Sequence, residues 1–187
     1  MKAPSVGEVE RAAEQGLIVR AKAGDQAAFE ELLAPAVRPG SRIAYAMLGD
    51  TTEAEDVFQE SALKAWRRLG NLREGSPFLP WFIGIVANQC REIRRDSWWH
   101  TVRLPVLSIA SPMDEGAWLE GNELRRAVGA LPFRERTAIL LHFHLDMPLS
   151  EVAIALGISV AGVKTRINRA LKRLRPAMGA PEVRVNG

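Results

Sequence analysis

Lys164, Thr165, Asn168 and Arg169 have types and spacing that suit hydrogen bonding to nucleic acid. They lie in the stretch LSEVAIALGISVAGVKTRINRALKRLR, from Leu149 to Arg175. At about 100° per residue, Val163, Ile167, Ala170 and Leu174 fall on one apolar face of a helix, and the polar residues point elsewhere. Lysine and arginine bond guanine or phosphate, asparagine bonds adenine, and a good bidentate pair discriminates between bases. Ser159 and Arg166 are candidates for the phosphate side. Two elements must hold this face. Ser150 is placed to cap a first helix carrying Val152, Ala153 and Leu156. Gly157 then supplies the left-handed turn that a residue with a Cβ resists. Ser159 caps the second helix. The pattern is that of a helix-turn-helix whose second helix enters the major groove.

A second set is Asn88, Arg91, Arg94 and Arg95 in SPFLPWFIGIVANQCREIRR, Ser76 to Arg95. Its arginines suit phosphate and its asparagine suits a base edge. The arginine pair also compensates a helix C-terminus. The polar loop Asn71 to Pro77, with Gly75, precedes this helix. A third set is Asp56, Gln59 and Glu60 in EAEDVFQESALKAWR, Glu53 to Arg67. Thr52 is expected to cap that helix with Glu55 as capping-box partner. Val57, Phe58, Ala62, Leu63, Ala65 and Trp66 are expected on its buried sides. Taken alone, the acidic and amide patch reads as a solvated face that a partner with exposed arginines would suit.

Charge is distributed in blocks. Residues 1–60, 61–103, 104–159 and 160–187 carry net charges of −5, +5, −3 and +6. Two separate basic blocks point to two contacts with a polyanion. Cys90 stands alone, which excludes an internal disulfide framework and a cysteine-rich zinc site, and it reads as a small buried residue. His142 and His144 are two residues apart, a spacing that does not converge on a metal from one helix. No nucleophile elbow, phosphate loop or convergent carboxylate pair is present, so neither enzymatic chemistry nor a metal or cofactor is expected. No apolar run reaches the ~18 residues of a membrane span, and the N-terminus lacks an apolar signal core. A cytoplasmic protein without membrane insertion is the expectation.

The chain reads as all-α, in two small helical domains at 10–96 and 120–176, with an irregular linker at 97–119 and a flexible tail at 177–187. Gly24 and Gly49 close helices, and Asp25 caps the one carrying Ala28, Phe29, Leu32 and Leu33. Pro35, Pro39 and Gly40 are expected to interrupt the chain. The linker breaks the helical period but holds Trp98, Trp99 and Trp118, so it is no plain flexible tether. Trp66 and Trp81 are read as core. The aperiodic linker implies two modules that fold separately and move relative to each other, unless its tryptophans lock them together.

The three stretches, in this order, resemble the extracytoplasmic-function group of bacterial sigma factors. Glu53 to Arg67 is similar to the family's second region, which holds the polymerase clamp helices. Ser76 to Arg95 is similar to the promoter-melting segment, and Ala130 to Arg175 to the fourth region. The resemblance implies that Asp56, Gln59 and Glu60 meet the clamp helices of the largest subunit of core RNA polymerase. It implies that Asn71, Asn88, Arg91, Arg94 and Arg95 act on the proximal, minus-ten promoter element, whose flipped base the Asn71–Ser76 loop receives. Ser159, Lys164, Thr165, Arg166, Asn168 and Arg169 would then read the distal, minus-thirty-five element. Its partners are core polymerase, promoter DNA and a regulatory protein such as an anti-sigma factor. The chain departs from the family at Ala161-Gly162, where Gly-Thr is usual, and at Gly84 and Ala87, where larger or basic residues are common. The rival reading is a stand-alone helix-turn-helix regulator, which has no need of the stretches from Glu53 and Ser76.

Overall fold

The computed structural model describes residues 6–97 and 122–178. Every regular element among them is a helix. The first module comprises α1 (Val6–Lys22), α2 (Gln26–Leu33), α3 (Val37–Leu48), α4 (Thr51–Arg68) and α5 (Phe78–Ser97). The second comprises α6 (Asn122–Ala130), α7 (Phe133–Ile139), a wider turn of helix at Leu140–His144, α8 (Leu149–Leu156) and α9 (Val160–Met178). The linker from Trp98 onward, with its three tryptophans, and the tail after Met178 lie outside the described residues.

The caps follow local chemistry. The Asp25 carboxylate accepts from the Ala28 amide at 3.1 Å and starts α2. Helix α4 is capped by Asp50, which accepts from the Glu53 amide at 2.9 Å, and not by Thr52. Asp50 holds the extended backbone of an N-cap (φ −128°, ψ 132°), which displaces Thr52 into the first turn. Pro35 bends the chain through a single 3₁₀ turn, Ala34–Ala36. Pro39 and Gly40, however, lie inside α3. Pro39 is the third residue of that helix, where the missing N–H has no partner to lose. Gly40 serves packing, because a Cβ there would lie 2.8 Å from the Phe58 ring.

The core of the first module is built around Phe78, Phe82, Ile43, Met47, Val57 and Val86, all fully buried. Phe29, Trp66, Phe78, Phe82 and Phe58 form a chain of ring contacts between 5.1 and 6.0 Å. Trp66 and Trp81 pack at its edge, half-buried. Leu140, Leu141, Val152, Val163 and Ile167 fill the core of the second module. Helix α1 packs along α2, and its side chains reach the segment that joins α4 to α5.

The two modules are packed together. The seam is α5 against α8. Gly84 makes it possible: a Cβ there would stand 2.3 Å from the Ala155 carbonyl oxygen. Without a side chain at 84, the α8 backbone lies directly on α5. An Arg42 Nη2 donates to the His144 carbonyl at 3.0 Å across the same seam.

Candidate nucleic-acid and partner interface

Helix α9 is seated by the stripe expected from its period. Val163, Ile167 and Ala170 are fully buried and Leu174 nearly so. Gly157 takes the left-handed conformation (φ 62°) and closes α8. The Ile158 amide bonds back to the Ala153 carbonyl at 3.0 Å. Ser159 Oγ accepts from the Gly162 amide at 3.1 Å, which fixes the first turn of α9. Ser150 does not cap α8. That helix starts two residues earlier, with Pro148 in the cap position, whose carbonyl accepts from Glu151 and Val152. Glu135, buried on α7, pairs with Arg173 at 2.9 Å and ties α9 to its scaffold.

The opposite face is presented as the spacing requires. Thr165, Asn168 and Arg169 are exposed, and Lys164 and Arg166 are half-buried. Thr165 Oγ1 donates to the Ala161 carbonyl at 2.9 Å, so the hydroxyl's acceptor side stays outward. The guanidinium of Arg166 lies below its ordinary pKa through burial, with Arg134 adding repulsion. It remains charged at neutral pH.

The four residues grouped on α5 separate. Asn88 and Arg91 are exposed. Arg94 is half-buried and faces inward near Cys90 and Arg136, so burial lowers its pKa while nearby Glu53 offsets the loss. The side chain of Arg95 is outside the described residues. Cys90 is fully buried, and burial pushes its thiol up to about 12. Sequence reasoning missed Arg136, which is 4% exposed. Its Nη1 donates to the Gly129 carbonyl at 3.0 Å while its Nε lacks a partner. Burial and Arg94 draw its pKa down to about 10.

The seam brings residues of both modules into one cleft of about 530 Å³. It is lined by Arg91 of α5, Phe133 and Arg134 of α7, and Thr165, Arg166 and Arg169 of α9. Arg91 lies over the Phe133 ring at 5.9 Å. Asn71 and the loop crest at Arg73, Glu74 and Gly75 are exposed elsewhere on the first module.

On α4, Asp56 and Gln59 are exposed and Glu60 is half-buried. Leu63 was expected inside but is 52% exposed. It follows Gln59 by four residues and Glu60 by three, so it shares their face. Its exposure is a feature that residue type alone hides. Among the described residues, no group of His, Cys, Asp or Glu is placed to hold a metal ion. Nor is any helix long and apolar enough to cross a membrane.

Residues 35–100 match the family Sigma-70 region 2, and residues 121–174 match Sigma-70, region 4. The chain is 31% identical over 165 residues to the probable RNA polymerase sigma factor RfaY of Xanthomonas campestris. That match covers 83% of this chain but only 41% of the Xanthomonas protein. It is 30% identical over 173 residues to the ECF RNA polymerase sigma factor SigW of Bacillus subtilis, across 84% of this chain and 92% of that one. The structure of CnrH in complex with the cytosolic domain of CnrY is also similar. Its TM-score is 0.67 at 27% identity, covering 91% of this chain and 99% of that chain. The chain therefore belongs to the extracytoplasmic-function sigma factors of the sigma-70 family. These are non-enzymatic initiation factors of RNA polymerase, which give promoter specificity to the core enzyme.

Proposed function

We propose that this sigma factor meets core polymerase through Asp56, Gln59, Glu60 and Leu63 on α4, and reads a two-box promoter through two separate surfaces. Asn88 and the Asn71–Ser76 loop address the melted proximal element, with Arg91, Arg94 and Arg95 supplying phosphate contacts. Lys164, Thr165, Asn168 and Arg169 address base edges of the distal element, with Ser159 and Arg166 on the phosphate side. The domain limits are those expected from the sequence, 10–96 and 120–176, joined by 97–119. The protein works in the cytoplasm, and a regulatory protein of the anti-sigma kind controls its release to polymerase. The observation that carries the reading is the hydrogen-bonding front of α9 set on a buried apolar back. Exposed Asn88 and Arg91 on α5 support it further, because they give the first module a polar, basic surface of its own.

Run-off transcription with added core enzyme tests the reading. Promoter fragments varied one base at a time should give a preference profile with two separate boxes. DNA binding that persists without core enzyme, with no transcription on adding it, would establish the stand-alone regulator instead.

A further inference from the structure

Helix α1 lies before the stretch that matches Sigma-70 region 2. Three of its side chains grip the backbone between α4 and α5. Lys22 Nζ donates to the Leu72 carbonyl at 2.7 Å. Gln15 uses both ends of its amide: Oε1 accepts from the Gly75 N–H at 3.2 Å, and Nε2 donates to the Ser76 carbonyl at 3.3 Å. Glu14 Oε1 accepts from the Phe78 N–H at 3.1 Å. That N–H belongs to the first turn of α5, where a carboxylate is favoured by the helix dipole.

All four bonds go to main-chain groups, so they fix the course of the loop and leave its side chains unengaged. The loop is pinned at both ends by buried Leu72 and Phe78. Between these ends Arg73, Glu74 and Gly75 are exposed, with Gly75 at φ 73°. Apolar burial therefore cannot set the crest, whereas Gln15 bonds directly beneath it. A pocket that receives an unstacked base must recover the cost of extruding it, and preorganisation lowers what remains to be recovered.

We propose that α1 is the template of the base-receiving loop, with Gln15 its central positioning residue and Glu14 and Lys22 its supports. Promoter selectivity at the proximal element is then set partly from outside the segments that touch DNA. The inference rests on the loop's proposed role in base capture.

The test uses the full chain, free and in holoenzyme with core polymerase. Gln15→Leu removes both loop bonds, whereas Gln15→Glu keeps the acceptor for Gly75. Amide exchange at Gly75 should quicken in Gln15→Leu by about two- to tenfold, the span one hydrogen bond carries, and stay slow in Gln15→Glu. On pre-melted templates, Gln15→Leu should flatten base preference at the proximal element by a similar factor, while distal-element binding and polymerase affinity hold. Asn71→Ala serves as the reference. Unchanged exchange at Gly75 in Gln15→Leu overturns the template role. So does an altered base preference in Asn71→Ala with none in Gln15→Leu. If neither variant alters preference while exchange at Gly75 does quicken, the base-capture role of the loop is what fails.

Discussion

Substituting Gly84 should open the seam between the modules. In Gly84→Ala the new Cβ would stand 2.3 Å from the Ala155 carbonyl oxygen, a backbone atom that no side-chain rotation can move. Restoring ordinary contact requires α8 to retreat from α5 by about 1 Å. Added volume in a tight contact costs about 1–3 kcal/mol. Here the cost falls only on the closed arrangement, because the atoms named are all in α8. That free energy corresponds to a shift of about 5- to 150-fold toward separated modules. The closed form stacks Arg91 of the first module over Phe133 of the second beside Arg166 and Arg169, so the surfaces proposed to face DNA are held in one fixed relative placement. Opening should therefore change the rate of promoter engagement. Single-molecule distances between a dye on α4 and one on α9 report the opening, and small-angle scattering gives the overall radius. Gly40→Ala is the control. Its Cβ would meet the Phe58 and Phe82 rings inside the first module, so it should lower the unfolding midpoint without parting the modules. The reasoning fails if Gly84→Ala leaves the distance distribution unchanged, or if it behaves like Gly40→Ala.

Reversing charge at Asp56 and Glu60 should abolish holoenzyme formation while altering stability by only about 0.5 kcal/mol per site, read by gel filtration with core enzyme and by urea titration. Leu63→Ala should weaken the same association with as little effect on folding, since the side chain is half in solvent; wild-type affinity would remove Leu63 from the interface. Arg169→Ala and Lys164→Ala should lower distal-element binding by about 1–3 kcal/mol at one or two base positions, whereas uniform loss over all single-base variants would make them phosphate anchors. The pH dependence of stability should carry the mark of His144, whose pKa is lowered to about 4 by burial first and Arg42 second, with Asp146 opposing. The folded state then binds fewer protons than the unfolded chain between about 4 and the ordinary 6.5, so its contribution is complete above 6.5 and is lost as pH falls towards 4. Subtracting the urea midpoints of His144→Gln from those of wild type isolates this slope, and a flat difference across that window would refute it.

Much of the site was legible because it depends on local periodicity. The buried stripe from Val163 to Leu174 follows from a helix with 3.6 residues per turn, and it fixes which cations face outward. Asp25, Gly157 and Ser159 were readable as caps because each answers a backbone demand within three residues of itself. Where two capping residues compete, the pattern is less decisive. Asp50 outcompetes Thr52, and α8 begins after Pro148 without help from Ser150. Pro39 shows that a proline is tolerated in the first turn of a helix, where its N–H would have no partner. Leu63 illustrates the limit of residue type, because its exposure depends on which face of α4 the other helices leave open.

The seam left no mark of this kind. Gly84 is one position in a helix with no turn, cap or left-handed backbone to account for it, and its role depends on Ala155, far away in sequence. Arg94 and Arg136 likewise come near each other only across the seam. A guanidinium buried with its Nε unpaired carries a desolvation cost there that no hydrogen bond offsets. Arg136 sits beside Arg94 at the seam, so their repulsion acts only when the modules are together. The closed arrangement thus combines a close fit at Gly84 with two like charges held near each other.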